Sequence, residues 1–414
     1  MAPHVLDDPT FPIVGWAGPG DAMIRPDVMA GMAEAGFTVS HSWVTGGLAE
    51  VVRALDVAAE SGVRLLLANA LYHVGDADPF DDETLTQVVA LVDAIKDHPG
   101  LYGYHMRDEP RFDQLPKLTR VHAAIHERDP YHLCYINHFP PIEGWGAPTA
   151  EAFWRRFIDL VQPHLLSYDH YPITVAPRAE IEAQAGRPNV FAAAGLIVKP
   201  DYFACLELLR NLSAGSGLPF WAFTCAVRHG PYPTPTEGHL RWQLMHDLAY
   251  GARGLQYFTY AHDSAMVRPD GSTTETWALA RRINADVHAL APVLQTLRSV
   301  GVFRTGPLWA GTQPLHRSHL ASGLECSGDP VTIGLFQDSH DLLHMMIVNG
   351  SPVDWASIRL KVAVEPEQRL FVFDLIANAF RELWPANPRD QLVTLAPGEG
   401  RLFKIDTEGL RANF

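Results

Sequence analysis

The chain has 414 residues, 47% of them hydrophobic and 19% charged, the composition of a globular protein able to bury a large core. Its net charge of −15, with no basic cluster, disfavours a nucleic-acid backbone or an anionic membrane surface as partner. The length suits one α/β barrel plus a smaller module better than a single compact domain.

Short β-prone apolar runs alternate with helical patterns from the N-terminus to about residue 260. The predicted strands are Phe11–Trp16, Thr38–Trp43, Val63–Asn69, Leu101–His105, His132–Asn137, Leu165–Asp169, Pro219–Cys225 and Leu255–Tyr260. Between them, apolar residues at i, i+3, i+4 spacing predict helices over Leu48–Ser61, Asp82–Asp97, Gln114–Glu127, Glu151–Val161, Tyr202–Leu212 and Thr236–Tyr250. Strict alternation of strand and helix implies parallel strands with crossover helices, and eight such units close into a (β/α)8 TIM barrel. The strand runs are apolar on both faces, as doubly buried strands require. Gly18-Pro19-Gly20 lacks the GxGxxG spacing of a dinucleotide-binding turn. A polar loop, His262–Thr274, and a helix, Thr276–Arg298, complete the barrel. From about Gly301 the texture changes to alternating strands and turns, with Val331–Gln337, Leu342–Asn349, Ile358–Val364, Leu370–Asp374 and Gly400–Lys404 as strands. The expected organisation is a barrel over residues 1–300 and a small antiparallel β domain, sandwich-like, over residues 301–414.

Cys134, Cys205, Cys225 and Cys326 form no CxxC and no regular spacing, so reduced thiols are expected rather than a zinc site or a disulfide framework. Met1–Pro12 has no basic region followed by an apolar core, and no apolar run reaches membrane-spanning length. A cytoplasmic protein without membrane attachment is expected, with its oligomeric state left open.

Chemistry concentrates at the strand exits, which share one rim in a barrel and carry its active sites. The fourth run, Leu101-Tyr-Gly-Tyr-His-Met-Arg-Asp-Glu-Pro110, delivers adjacent carboxylates, Asp108 and Glu109, stopped by a proline. Carboxylates at a buried strand end are costly unless paired, hydrogen-bonded or used. The fourth run also carries His105, and the other exits present Trp16, His41, Trp43, Asn69, Asn137, His138, Asp169, His170, Tyr171, Trp221, Arg228, His229, Tyr260, His262 and Asp263. Aromatic faces stack on the C–H faces of sugar rings, while amides, imidazoles and carboxylates bind hydroxyls. A phosphorylated ligand would call for a glycine-rich, basic rim instead. A neutral carbohydrate fits this set better.

The strand order, the acidic pair with proline after the fourth strand and the aromatic rim resemble the clan A glycoside hydrolases. Pro219–Phe223 and the long run from Pro235–Gln243 to Gly254–Tyr260 also resemble barrel segments of bacterial hydrolase-like proteins, and the resemblance spans about residues 10–300. In that clan the acid/base glutamate follows the fourth strand as Asn-Glu, often before proline. The resemblance therefore implies Glu109 as acid/base, with Asp108 where Asn is usual. The clan's nucleophile, a glutamate ending the seventh strand, has no counterpart in Phe220–Arg228; Glu237 lies beyond a proline-rich loop, and Asp169 is the preferred second carboxylate.

The expected activity is O-glycosyl hydrolysis of an oligosaccharide or glycoside without cofactor. The catalytic set is Glu109, Asp169 and Asp108. The binding set is Trp16, Trp43, His105, Asn137, His138, Tyr171, Trp221, Arg228, His229 and Tyr260, with Trp43 and Trp221 as stacking platforms. Three alternatives stand beside it. The Asp108-Glu109 pair also resembles the family 20 hexosaminidases, in which the substrate's acetamido group attacks. A barrel without the seventh-strand carboxylate could bind saccharide without cleaving it. His105, Glu109, His138, Asp169, His170 and His229 could hold a divalent metal, as in sugar isomerases or metal-dependent hydrolases, although no HxH or HExxH pair supports this.

Overall fold

The computed structural model describes residues 4–75, 81–317, 324–362, 369–383 and 390–406. These residues pack as two compact units, one of 1–171, 211–228 and 253–284, the other of 172–210, 229–252 and 285–414.

The first unit holds the barrel. Its strands, in chain order, are Ile13–Trp16, Val39–Trp43, Arg64–Ala68, Leu101–Asp108, Leu133–Asn137, Leu166–Tyr168, Phe220–Cys225 and Gly254–Phe258. All eight are parallel, and the sheet runs fifth, fourth, third, second, first, eighth, seventh, sixth. The fifth and sixth strands close the ring through a parallel bridge between His138 and Tyr168, with His138 N donating to Ser167 O and Asp169 N to His138 O, each at 3.0 Å. Each predicted barrel strand is present, within a few residues of its expected ends.

Helices Leu48–Glu60, Asp82–Ile95, Leu115–Arg128 and Ala150–Val161 match the apolar spacing. Asp81 and Thr149 start two of them by accepting bonds from Thr84 N and Ala152 N. Pro26–Glu34 is a further helix, too short and too alanine- and glycine-rich to give a clear apolar stripe. It lies close against the first strand at Gly15, where a Cβ would come within 2.2 Å of Met32 Cε. Val14, Trp16, Val39, Leu66, Tyr102, Leu133, Tyr135, Trp221 and Phe223 fill the core of the barrel.

In the second unit, two antiparallel sheets share one apolar core. The larger is ordered Arg298–Arg304, Val331–Gln337, Leu343–Asn349, Gly400–Asp406, Arg369–Asp374, Ala379–Glu382; the smaller is Leu324–Gly328, Ala356–Val362, Asp390–Leu395. Ile333, Leu335 and Ile347 of one sheet and Ile358, Leu360 and Val393 of the other belong to the same buried cluster, the arrangement of a sandwich. The predicted strand Ile358–Val364 is present as far as Val362; its last two residues lie outside the described residues. Helix Glu237–Ala249 belongs to this unit, not to the barrel unit. Trp242 Nε1 donates to Gly350 O at 3.1 Å, and Gly334 sits so close that a Cβ there would fall within 2.2 Å of Ala249 O. A three-stranded sheet of Ile173–Val175, Leu196–Val198 and Val190–Phe191 is also present; its strands are too short for periodicity to reveal.

Candidate active site

The rim chemistry starts with an irregular fourth strand. Its register against the fifth strand shifts between His105 and Arg107, so that Asp108 pairs with Asn137. Such a bulge re-aims the side chains that follow it. Arg107 is thereby turned out, its Nη1 donating to Val74 O at 2.9 Å. Glu109 adopts φ 48°, the left-handed region that non-glycine residues seldom occupy, held by its own N–H donating to Asn137 O at 2.9 Å.

Asp108 is positioned by a chain of buried hydrogen bonds across the barrel. Tyr135 OH donates to Gln256 Oε1 (2.5 Å), Gln256 Nε2 to Ser167 Oγ (2.9 Å), Ser167 Oγ to Asn137 Oδ1 (3.0 Å), and Asn137 Nδ2 to Asp108 Oδ1 (3.0 Å). Each bond fixes the donor sense of the next, so the Asn137 amide presents its NH2 to the carboxylate. Burial raises the Asp108 pKa, while the Asn137 bond and the Arg107 charge pull it down.

Glu109 and Asp169, from the fourth and sixth strand exits, hydrogen-bond to each other through their carboxyl groups. Burial, then the adjacent Asp108 charge, pushes Glu109 up to about 7. Asp169 is raised well above the usual carboxylate range by burial and by the charges of Glu109 and Asp108. Two carboxylates in contact cannot both ionise cheaply, so the pair keeps one proton at neutral pH. Asp169 Oδ1 is buried without a hydrogen-bond partner. Tyr171 stands beside the pair, its phenol pushed up by burial and by the Asp169 charge, its ring 5.1 Å from Phe258.

A second quadrant of the rim is aromatic and imidazole-lined. Trp16 stacks on His41 with ring centres 3.8 Å apart and planes 12° apart, and meets His105 edge-on at 5.1 Å. His41 Nε2 and His105 Nδ1 share a hydrogen bond of 3.0 Å. Burial, reinforced by His73, drops His41 to about 3, so the ring is neutral. Trp43 is 38% exposed, with His73 at 4.9 Å and His105 at 6.5 Å.

Asp108, Glu109, Asn137, Asp169 and Tyr171 thus gather as one group, and Trp16, His105 and Trp43 as another. Four expected binding residues are placed elsewhere. Trp221, near the start of the seventh strand, is a barrel filler with no exposed surface, its indole pressed on Gly254, and cannot serve as a stacking platform. His138 turns outward into the aromatic layer of helix Ala150–Val161, 4.2 Å from Phe157 and 4.6 Å from Trp154. Tyr260 likewise packs on the outer side of the barrel wall, 5.1 Å from Phe37 and against Gly15. His229 belongs to the second unit, where its ring lies 4.6 Å from Tyr232. Arg228 is exposed just past the seventh strand. The six-residue metal set does not assemble as a whole, since His138 is turned away from Glu109 and Asp169. Tyr135, Ser167 and Gln256 were missed as parts of the site; their only sequence signal is a polar group inside an otherwise apolar barrel strand.

No protein-family model matches the chain, and no curated protein matches its sequence. Solved structures do match. A protein of Bacteroides fragilis assigned as an α-galactosidase aligns over 96% of this chain and 79% of its own, with TM-score 0.54 and 12% identity. A second Bacteroides fragilis protein, assigned as an α-galactosidase/melibiase, aligns over 96% and 79% with TM-score 0.53 and 13% identity. The β-galactosidase of the psychrophile Marinomonas ef1 aligns over 69% of this chain with TM-score 0.50 and 12% identity, and the alignment spans 60% of that enzyme's length. At such identities the likeness is one of fold. No described helix is long and apolar enough to cross a membrane.

Proposed function

We propose that this chain, whose fold is the (β/α)8 barrel of clan A-type glycoside hydrolases, hydrolyses a glycosidic bond at the rim that carries Glu109 and Asp169. The observation that carries this reading is the hydrogen-bonded carboxyl pair with Glu109 raised to about 7. Double displacement needs one ionised carboxylate to attack the anomeric carbon and one protonated carboxyl to give its proton to the leaving oxygen. A pair sharing one proton supplies both forms at once. In the free pair the proton rests on Asp169, the more strongly raised of the two. With substrate in place it passes to Glu109, which acts as acid/base next to the charge of Asp108, and ionised Asp169 is the nucleophile. A contact pair is nearer the ~5 Å separation of retaining enzymes than the ~6.5–9.5 Å that admits a water between carboxyls. Retention of anomeric configuration is therefore expected.

Asp108 and Tyr171 flank the pair and bind substrate hydroxyls, with Asn137 orienting Asp108. Trp43 offers an indole face for stacking, and neutral His105 a polar edge. The ligand class is a carbohydrate.

The test is hydrolysis of a panel of aryl glycosides, N-acetylhexosaminides included, by wild type, Glu109→Gln and Asp169→Asn. Loss of roughly 1,000-fold or more in kcat in both variants, each still folded, supports the two-carboxylate mechanism. Activity confined to acetamido sugars and surviving in Asp169→Asn would assign the attack to the substrate's amide instead. Full activity in Glu109→Gln would remove the proposed acid.

A further inference from the structure

At the end of the barrel opposite the carboxyl pair, histidines gather that no step of the proposed hydrolysis uses. His4 precedes the first strand, His164 precedes the sixth, and His122 and His126 sit in the last two turns of helix Leu115–Arg128, which leads into the fifth. Val5 N donates to Tyr131 O at 2.8 Å, which ties the His4 segment to the start of the fifth strand.

The two helix residues are four apart and therefore share a face, the i, i+4 spacing with which paired histidines clamp a zinc ion. Their rings are nearly parallel, 21° apart, with centres separated by 5.8 Å. His164 completes a triangle, 5.5 Å from His122 and 5.2 Å from His126. Imidazoles bound to one tetrahedral ion at about 2.0–2.1 Å place their ring centres about 5 Å apart, so the triangle has the right size.

The nitrogens are also of the right kind. His122 is 5% exposed, and its Nε2 is buried without a hydrogen-bond partner, an uncompensated cost as the protein stands. His4 Nε2 is in the same state, and its ring lies 4.6 Å from His164. His164 Nδ1 accepts only a long bond, 3.3 Å, from Cys134 N. Burial lowers His122 to about 4 and His164 to about 3, so both rings offer lone pairs at neutral pH. Asp129, bound to His132 at 2.8 Å, places a carboxylate charge within electrostatic reach of His4 and His164, where it would balance a cation.

We infer that His122, His126 and His164 form a binding site for a borderline divalent transition ion such as Zn2+, Ni2+ or Cu2+, at the N-terminal end of the barrel strands. As the rings stand, their nitrogens do not all converge on one point. Binding turns them about the Cβ–Cγ bonds, and His164 gives up its contact with Cys134 N. The fourth position goes to water or to His4. The ion bridges helix Leu115–Arg128 to the segment before the sixth strand, a structural role.

The test is calorimetric titration of the full, tag-free chain with ZnCl2 and NiCl2, backed by the visible absorption of a Co2+ adduct. The expected result is one equivalent bound at micromolar or tighter Kd, an upward Tm shift with added metal, and at least a tenfold loss of affinity in both His122→Gln and His126→Gln. His126 is exposed, so its replacement leaves the fold intact and keeps the test independent of any instability in the His122 variant. Glu109→Gln should bind metal as wild type does. No saturable binding, or binding indifferent to both helix variants, overturns the inference.

Discussion

Glu109 and Asp169 are costly to place together, and the cost is what makes them useful. Neither carboxyl keeps its ordinary pKa: burial and the Asp108 charge raise Glu109, and burial with the charges of Glu109 and Asp108 raises Asp169. The titration belongs to the pair: one proton is lost in a lower step and the second in an upper one. A rate that needs one proton on two carboxyls falls on the acid side when both are protonated and on the alkaline side when both are ionised. The pH dependence of kcat/KM should accordingly be bell-shaped, with its acid limb near 7, where Glu109 titrates, and its alkaline limb higher, where Asp169 loses its proton. A profile flat from pH 5 to 9 would separate the pair from the chemistry. At this scale the gathering of Asp108, Glu109, Asn137 and Asp169 at neighbouring strand ends was legible in the sequence. The sequence misplaced Trp221, Tyr260 and His138 because facing depends on strand register, and a polar or aromatic residue beside an apolar run looks the same whichever way it points.

The fourth strand and its neighbours decide which groups the rim displays. A straight strand keeps strict alternation; the register shift at His105–Arg107 breaks it, bringing Asp108 level with Asn137 and sending Arg107 to Val74. Bulges leave no composition mark, so this feature was not legible, although Asp-Glu-Pro at the strand exit was. Behind it, strands five, six and eight contribute Tyr135, Ser167 and Gln256 to the chain of bonds that ends on Asp108. Ser167 is its junction. Ser167→Ala leaves the Asn137 amide free to flip and strands the Gln256 donor, at about 1–3 kcal/mol of stability. Roughly tenfold lower kcat is expected, measured with a neutral aryl glycoside, because Asp108 loses its fixed partner. A variant with wild-type kcat but the same stability loss would make the chain purely structural. Helices followed their apolar spacing well, Glu237–Ala249 included, although that helix, buried on nearly every side, gives no one-sided stripe to say which unit it serves.

Across the whole molecule, the site opposes stability above neutrality. Carboxyls whose folded pKa exceeds the unfolded value stabilise the fold below the unfolded pKa of about 4, and that contribution is lost as pH rises through the folded value. For Glu109 that window is about 4 to 7, and Asp169 extends it upward. Glu109 is partly open to solvent, so screening reduces its share to on the order of 1–2 kcal/mol. The Tm of wild type should drop between pH 5 and pH 8 by more than that of Glu109→Gln, as followed by calorimetry. Parallel pH profiles for the two proteins would show that the pair is not strained. The fold class was legible at this scale too: unbroken strand–helix alternation gave the barrel, and the change of texture in the last part of the chain gave the antiparallel sheets. Residues 172–201, which contain the small three-stranded sheet, carried no such pattern.

Trp43 adds a practical consequence. It keeps 38% of its surface exposed on the imidazole-lined quadrant of the rim, while Trp16, Trp154, Trp221 and Trp242 are almost fully enclosed. An indole in that position changes its emission when a sugar ring covers it, and the enclosed indoles do not. Quenching or a blue shift on adding a saccharide, absent in Trp43→Phe, thus reads occupancy of the rim directly. Because it needs no bond to break, the same signal distinguishes a barrel that holds saccharide from one that also cleaves it.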